Sequence, residues 1–208
     1  MSSEKYVIGS GALLRWALAA WAEAAPDTVL HPVDIAQGKD YCFDLDALRT
    51  LSCSDATAFV AWDAQFLNLR RQELMGELKA RSFKMPPLIC RGAQLAASAR
   101  IGENGMIGAG AIVGPHCDIG FNSWIGTAAV LEHGVKVGNG AWIDAGAFVG
   151  AEASIGSHAT LGRQVAIAAG VRVGKRCIVQ TPGTYRGDIA TGTHYLASFA
   201  TPVQIFNG

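Results

Sequence analysis

Residues 101–126 read IGENGM IGAGAI VGPHCD IGFNSW IG, with an aliphatic residue at every sixth position and a glycine directly after it. The same phase extends in both directions. Ile89, Leu95, Ile101, Ile107, Val113, Ile119, Ile125, Leu131, Val137, Ile143, Val149, Ile155, Leu161, Ile167, Val173 and Val179 are all Ile, Leu or Val, sixteen in succession. An α-helix repeats every 3.6 residues and a half-buried strand every two, so a period of six belongs to neither. It is the signature of short strands wound in a coil around an apolar core, the hexapeptide β-helix. Glycine follows the aliphatic residue at 102, 108, 114, 120, 126, 138, 150, 156, 162 and 174, where a tight corner leaves little room for a side chain. The position four after it is small or narrow, as at Ala93, Cys117, Ser123, Val135 and Ala159. The expected fold is mainly β: a parallel β-helix over 88–180 whose inward positions alternate large and small around a triangular prism.

Residues 1–87 follow another grammar. Tyr6-Val7-Ile8 reads as a strand entering Gly9-Ser10-Gly11, then Ala12 to Ala25 as a helix ended by Pro26. Thr28-Val29-Leu30 and Thr57 to Trp62 read as further strands, with a short helix near Asp44 to Thr50. Phe66 to Arg81 reads as a helix with Leu67, Leu74 and Leu78 on one side and Arg70, Arg71, Glu77 and Lys79 on the other. Alternating strands and helices imply a small Rossmann-like parallel α/β domain. Pro86-Pro87 marks the change of pattern, and 181–208, which leaves the six-residue rule, is expected to cap the open end of the core.

The 17 basic and 17 acidic residues cancel, so neither nucleic acid nor an anionic membrane is implied as a partner. Gly or charge interrupts every apolar run before about 18 residues, which argues against a membrane span. Met1-Ser2-Ser3-Glu4-Lys5 is followed by no long apolar run with a cleavage site. The five cysteines, at 42, 53, 90, 117 and 177, lack metal-ligand spacing, and Cys117 and Cys177 fall on small inward positions. A reducing, cytoplasmic setting is expected, with no metal.

Three hexads make one coil of about 18 residues, so residues 18 apart stack in columns. The outward column Arg100, Asp118, Lys136, Ser154 and Arg172 belongs in water. The columns Met106, Trp124, Trp142, Thr160 and Ile112, Val130, Phe148, Ala166 are apolar. Two apolar faces call for cover by neighbours, and a closed ring with each subunit using two faces predicts a homotrimer.

Val7-Ile8-Gly9-Ser10-Gly11, Phe59-Val60-Ala61 with the Arg-rich helix after it, Pro87-Leu88-Ile89, Ser98-Ala99-Arg100-Ile101-Gly102 and Val130-Leu131-Glu132-His133 together resemble the bacterial nucleotide-sugar and sialic acid acetyltransferase family. Its members join a small α/β unit to a left-handed β-helix. The resemblance implies a trimer with active sites between adjacent subunits, acetyl-CoA as cosubstrate and a sugar, nucleotide-linked, as acceptor. His133 falls on the family's catalytic base and the backbone N–H of Ala151 on its oxyanion donor. Departures cluster around the implied pocket. Ala12-Leu13-Leu14 replaces a Gly-His-Ala continuation, Cys90-Arg91 a His-Pro, Gly134 the acidic residue after the histidine, Gly126 an asparagine and Trp142 a second histidine.

Acyl transfer from a thioester needs a base for the attacking group's proton and a donor for the developing oxyanion. His133 supplies the first, with Ala97, Pro115, Ala151 and Ala169 as short neighbours in its column. His116, Gly134 and Glu152 form the adjacent column, and coils stack at about 4.8 Å. Glu152 or Glu132 is expected to orient His133. Gly150, Ala151 and Trp142 are the expected CoA contacts, Trp142 as a pocket wall or a trimer contact. Gly9, Ser10, Gly11, Asp63 and His116 are the candidates for the acceptor. The leading expectation is direct acetyl transfer to a sugar amine or hydroxyl. The altered turn, Gly126, Gly134 and Trp142 favour a second class, a non-catalytic trimeric binding or scaffold protein. A third, a metal-dependent β-helix enzyme, needs three converging histidines, and the His116, His133 and His158 spacing does not supply them.

Overall fold

The computed structural model describes residues 3–54 and 56–205. Met1 and Ser2, at the start of the opening stretch, and 206–208, at the end of the expected cap, lie outside them.

The N-terminal unit is a three-stranded parallel sheet in the order β2-β1-β3, with β1 Glu4–Gly9, β2 Val29–Asp34 and β3 Ala56–Ala61. Helix α1 (Gly11–Ala24) leaves β1 through the glycine turn, α2 (Asp46–Arg49) follows β2, and α3 (Gln65–Ala80) follows β3. This is the α/β arrangement expected from the alternating pattern.

From Leu88 onward, strands of two or three residues form sheets of eight, six and five strands, parallel throughout except where Val203–Gln204 runs antiparallel to Thr193–Tyr195. Trp124 pairs with Trp142, Val130 with Phe148 and Lys136 with Ser154, so residues 18 apart are partners. The aliphatic hexad positions and the small residues four after them form one continuous buried core. The glycines after the aliphatic positions are explained by the coil above. An added Cβ at Gly126 would lie 2.6 Å from the Ala145 backbone nitrogen, and one at Gly150 would lie 2.5 Å from that of Ala169. No side chain fits under a passing backbone. Two residues on, the corners from Asn104 to Arg176 turn through the left-handed region whatever the residue, with φ 58° at His116, 57° at Asn122 and Glu152, and 70° at Gly134.

The coil continues beyond Val179. Tyr185 lies opposite Ile167, Ile189 bridges to Val173 and Tyr195 lies opposite Val179. Both tyrosines and Ile189 pack on the core. Tyr185 keeps the six-residue phase with a residue outside the aliphatic set, and the next turn is shortened.

Two expectations are corrected. The Met106/Trp124 column, expected to face a neighbouring subunit, is covered by the chain's own α/β unit. Leu14, Ala17 and Trp21 of α1 join Met106 and Trp124 in one buried cluster, and Trp16 packs on Trp124 at 5.3 Å between ring centroids. The second apolar column stays open, with Ile112 42% and Phe148 38% exposed. Arg71, placed on the solvent side of its helix, is fully buried at the domain junction. Its Nε donates to the Val60 carbonyl at 3.0 Å, Nη1 to that of Asn122 at 2.9 Å and Nη2 to that of Asn104 at 2.6 Å. The side chain of Asn104 accepts from the Val60 N–H at 2.8 Å and donates to Asn122 Oδ1 at 2.8 Å. The outer edge of β3 is thus closed by a single parallel bridge from Thr57 to Lys84 and, further along, by these side chains.

Candidate functional site

His133 stands on the turn from the second sheet to the third. Helix α1 lies on the first sheet, so this corner is the prism edge opposite the α/β unit. Its imidazole is exposed and makes no hydrogen bond among the described residues. The backbone holds the turn, with Gly134 N–H donating to the Pro115 carbonyl at 2.8 Å and Glu152 N–H to the His133 carbonyl at 2.9 Å. Glu132 does not reach the imidazole. Its carboxylate accepts from the Ala151 N–H at 2.8 Å, one coil on. That amide is therefore aimed outward and already binds an anionic oxygen.

Glu152 folds beside Gly134, whose added Cβ would lie 3.2 Å from Glu152 Cγ. His116, Gly134, Glu152, Lys136 and Arg172 line a groove of about 740 Å³ along the third sheet. Arg172 pairs there with Asp188 at 3.0 Å. The backbone N–H and guanidinium of Arg172 hold the Asp188 carboxyl below its usual range.

Trp142 lies on the first sheet, stacked on Trp124 at 4.5 Å and 5°, half a coil from His133. Gly150 is buried beneath the next coil, and Ala151 is half-exposed beside it. A second cavity, of about 310 Å³, opens at the C-terminal edge of the small sheet, lined by Ser10, Gly11, Gln37, Ala61, Trp62 and Asp63. Gly9 lies under this turn, where the Ala61 carbonyl leaves no space for a Cβ, and Gly11 has φ +56°. Ser10 is the N-cap of α1 without a side-chain cap bond, and the first turn holds no acidic residue. The helix therefore presents free N–H groups to the cavity, an arrangement suited to an anion.

Of the residues singled out in the sequence, Ser10, Gly11 and Asp63 come together at this cavity. His116 and Glu152 share the groove, and Glu132 and Ala151 meet beside His133. The last two groups adjoin at the His133 turn, where the Glu152 N–H meets the His133 carbonyl, and the small-sheet cavity lies apart from them in one chain. Gln37 and Trp62 were not foreseen, because a glutamine in a loop and a strand-end tryptophan carry no distinguishing spacing. Among the described residues no three of His, Cys, Asp and Glu converge as a metal site, and no helix is long and apolar enough to cross a membrane. The five cysteines are free thiols, with Cys117 and Cys177 buried inward.

The model for the hexapeptide repeat of succinyl-transferase matches residues 116–151 and 152–181. The match falls within the β-helix, where the six-residue period runs. No curated protein matches this hexapeptide-repeat chain significantly by sequence. Among solved structures it is similar to PerB from Caulobacter crescentus, crystallised with CoA and GDP-perosamine, with 24% identity, 98% of each chain covered and a TM-score of 0.83. The acetyltransferase domain of PglB from Neisseria gonorrhoeae is similar at 24% identity, with 96% of this chain and 99% of that one covered and a TM-score of 0.63. AntD from Bacillus cereus, an N-acyltransferase, covers 62% of this chain and 87% of its own, with 16% identity and a TM-score of 0.50. At these identities the likeness establishes a shared fold, a β-helix joined to an N-terminal α/β domain.

Proposed function

We propose that this protein transfers an acetyl group from acetyl-CoA to the amine, or a hydroxyl, of a nucleotide-linked sugar, as a homotrimer with sites between adjacent copies. The observation that carries this reading is the corner itself: an exposed, unengaged imidazole beside a backbone amide that binds an anionic oxygen at 2.8 Å. These are the base and the oxyanion donor that direct acyl transfer requires. Solved proteins of the same architecture, with CoA and a nucleotide sugar bound, support the substrate class by analogy.

In this reading His133 takes the proton from the acceptor as its nitrogen or oxygen attacks the thioester carbonyl. The Ala151 N–H receives the developing oxyanion once Glu132 turns aside. The tetrahedral adduct then collapses, the C–S bond breaks, and the imidazolium returns the proton to the CoA thiolate. Glu152, alongside Gly134, is the positioning residue for His133. CoA runs beside the corner, against Gly150 and Ala151 of one copy. The acceptor's nucleotide lies at Ser10, Gly11 and Asp63. His133 and Trp142 lie on opposite sides of one prism, as do His133 and the small-sheet cavity. Only a second copy can bring them to one place, with Trp142 of that copy walling the pocket.

Calorimetric titration with acetyl-CoA, followed by turnover assays on nucleotide amino sugars, tests this reading. Saturable binding near one site per chain and turnover abolished by His133→Ala are the expected results. A specific observation favours the scaffold alternative, since the Ala151 amide is already satisfied by Glu132. Absence of acetyl-CoA binding at millimolar concentration would overturn the transferase reading and leave the scaffold, or a different ligand, as the leading one.

A further inference from the structure

Beside the small-sheet cavity the chain carries two large aromatic side chains in solvent. Tyr41 is 48% exposed and Phe66 is 52% exposed, with ring centroids 5.0 Å apart in an edge-to-face arrangement. The Arg70 guanidinium lies 5.3 Å from the Phe66 ring centroid. Solvated rings of this size contribute little to folding, since they bury only part of their surface.

Their backbone is more unusual still. Tyr41 has φ 64°, and Phe66, Leu67 and Asn68 form a continuous left-handed turn with φ 50°, 59° and 64°. No glycine is present in it, so each residue costs about 1–2 kcal/mol relative to a right-handed conformation. Such strain persists only where surrounding contacts impose it. Here they do. Asn68 Nδ2 donates to the carbonyls of Asn122 at 2.9 Å and Gly140 at 3.1 Å, and His158 Nδ1 bonds the Leu67 carbonyl at 3.0 Å. The β-helix therefore holds the turn that projects Phe66.

The backbone that carries each ring is tied to the cavity wall. Gln37, which lines it, donates from Nε2 to the Tyr41 carbonyl at 3.1 Å. The Asp63 carboxylate, also on the wall, accepts from the N–H of Gln65 at 3.1 Å, one residue before Phe66. Trp62 also lines the cavity. Trp62 is 7% exposed, and its buried indole N–H has no acceptor among the described residues.

We infer that Tyr41 and Phe66 are the base-stacking platform for a nucleotide held at the Ser10–Asp63 cavity, with Arg70 beside it. This rests on the reading of that cavity as the acceptor's nucleotide site, and it assigns the residues that recognise the heteroaromatic part of the acceptor. A nucleobase presents a flat π-face that stacks on an aromatic ring, and its edge carries both donors and acceptors. The free N–H groups of α1 suit the phosphate oxygens at the cavity. Stacking tolerates different bases, so this platform selects for a nucleotide over a bare sugar phosphate more strongly than for one base over another.

The test is equilibrium binding of UDP, GDP and inorganic pyrophosphate to the full chain and to Tyr41→Ala, Phe66→Ala and Phe66→Trp. Loss of a stacking partner is expected to weaken UDP and GDP about tenfold in each alanine variant, leave pyrophosphate unchanged, and be restored in Phe66→Trp. Both side chains are exposed, and thermal unfolding checks that the variants are folded. Nucleotide binding unchanged in both alanine variants would overturn the stacking role while leaving the cavity reading intact. Equal loss of UDP and pyrophosphate would also overturn it, by showing that the turn only shapes the cavity. Failure of the unaltered protein to bind any of the three would overturn both.

Discussion

Replacing Arg71 by Met should destabilise the protein far more than its helix-surface spacing suggests. The guanidinium is fully buried, faces no carboxylate in its hydrogen bonds, and spends its donors on the carbonyls of Val60, Asn122 and Asn104. Asn122 O keeps a second donor, Asn68 Nδ2, so the substitution orphans two carbonyls. Each orphaned buried acceptor costs about 1–3 kcal/mol. Against this, removal of a desolvated cation returns some free energy, and burial lowers the Arg71 pKa to about 9. Methionine fills much of the apolar volume between Phe59 and Trp124, whose ring centroids lie 5.6 Å and 5.3 Å from the guanidinium carbon. The net expectation is a loss of about 2–4 kcal/mol, read as a lowered urea midpoint at unchanged slope. Arg71→Lys should recover little, because one ammonium cannot reach three divergent carbonyls. A double-mutant cycle with Asn104→Ala should show coupling, since both side chains close the edge of β3. If Arg71→Met unfolds within about 0.5 kcal/mol of the unaltered chain, the range expected of an uninvolved surface site, the buried junction is not what joins the two units.

His133→Ala should lower acetyl transfer about 10²–10⁴-fold without moving the unfolding midpoint, since the exposed imidazole makes no hydrogen bond among the described residues. Glu132→Gln exchanges a charged acceptor at the Ala151 amide for a neutral one, so kcat/KM should rise by about fivefold; a fall would show that Glu132 serves His133 instead. Phe148→Glu places a charge in the open apolar column, and light scattering should then report single chains in place of the trimer proposed for the unaltered protein. Lys5 is buried with Nζ 2.7 Å from Thr57 Oγ1 and 4.0 Å from the Trp21 ring centroid, and burial lowers its pKa to about 8 from 10.5. Between those values the unfolded chain binds more protons than the folded one, so this group's contribution makes stability rise with pH by up to about 2 kcal/mol. Denaturation from pH 8 to 10.5 should show that rise, and Lys5→Met should flatten it.

The β-helix was legible because its steric demands recur every six residues and admit few residue types. A coil passing over Gly126 or Gly150 excludes every side chain, and the inward aliphatic positions leave no polar alternative. Arg71 was hidden by its chemical type. The helix buries Asn68, Arg71, Leu74, Met75 and Leu78, a regular face whose first two members are polar, and charge alone suggested the opposite side. The spacing of Asn68 and Arg71 with Met75 and Leu78 was the available signal. The left-handed turn at Phe66–Asn68 had none, because it contains no glycine and its cause lies 54 to 91 residues away, at Asn122, Gly140 and His158.

The tryptophan column shows what a pattern of outward apolar residues can and cannot say. It requires cover but does not identify the source, and α1 provides it for Met106 and Trp124 from within the chain. That cover has a consequence for the site. With the first sheet occupied by the α/β unit, His133 is left on the opposite edge of the prism, away from the cavity that unit carries. The open column Ile112, Val130 and Phe148 borders the His133 corner, since its strands run directly into that turn. A neighbour seated on this column would therefore stand beside the imidazole and could bring its own cavity and Trp142 there. The same apolar contact would then govern both assembly and catalysis, so Phe148→Glu should abolish turnover in proportion to the loss of trimer. Dissociated chains that kept full activity would place the acceptor and His133 within one chain and refute the composite site.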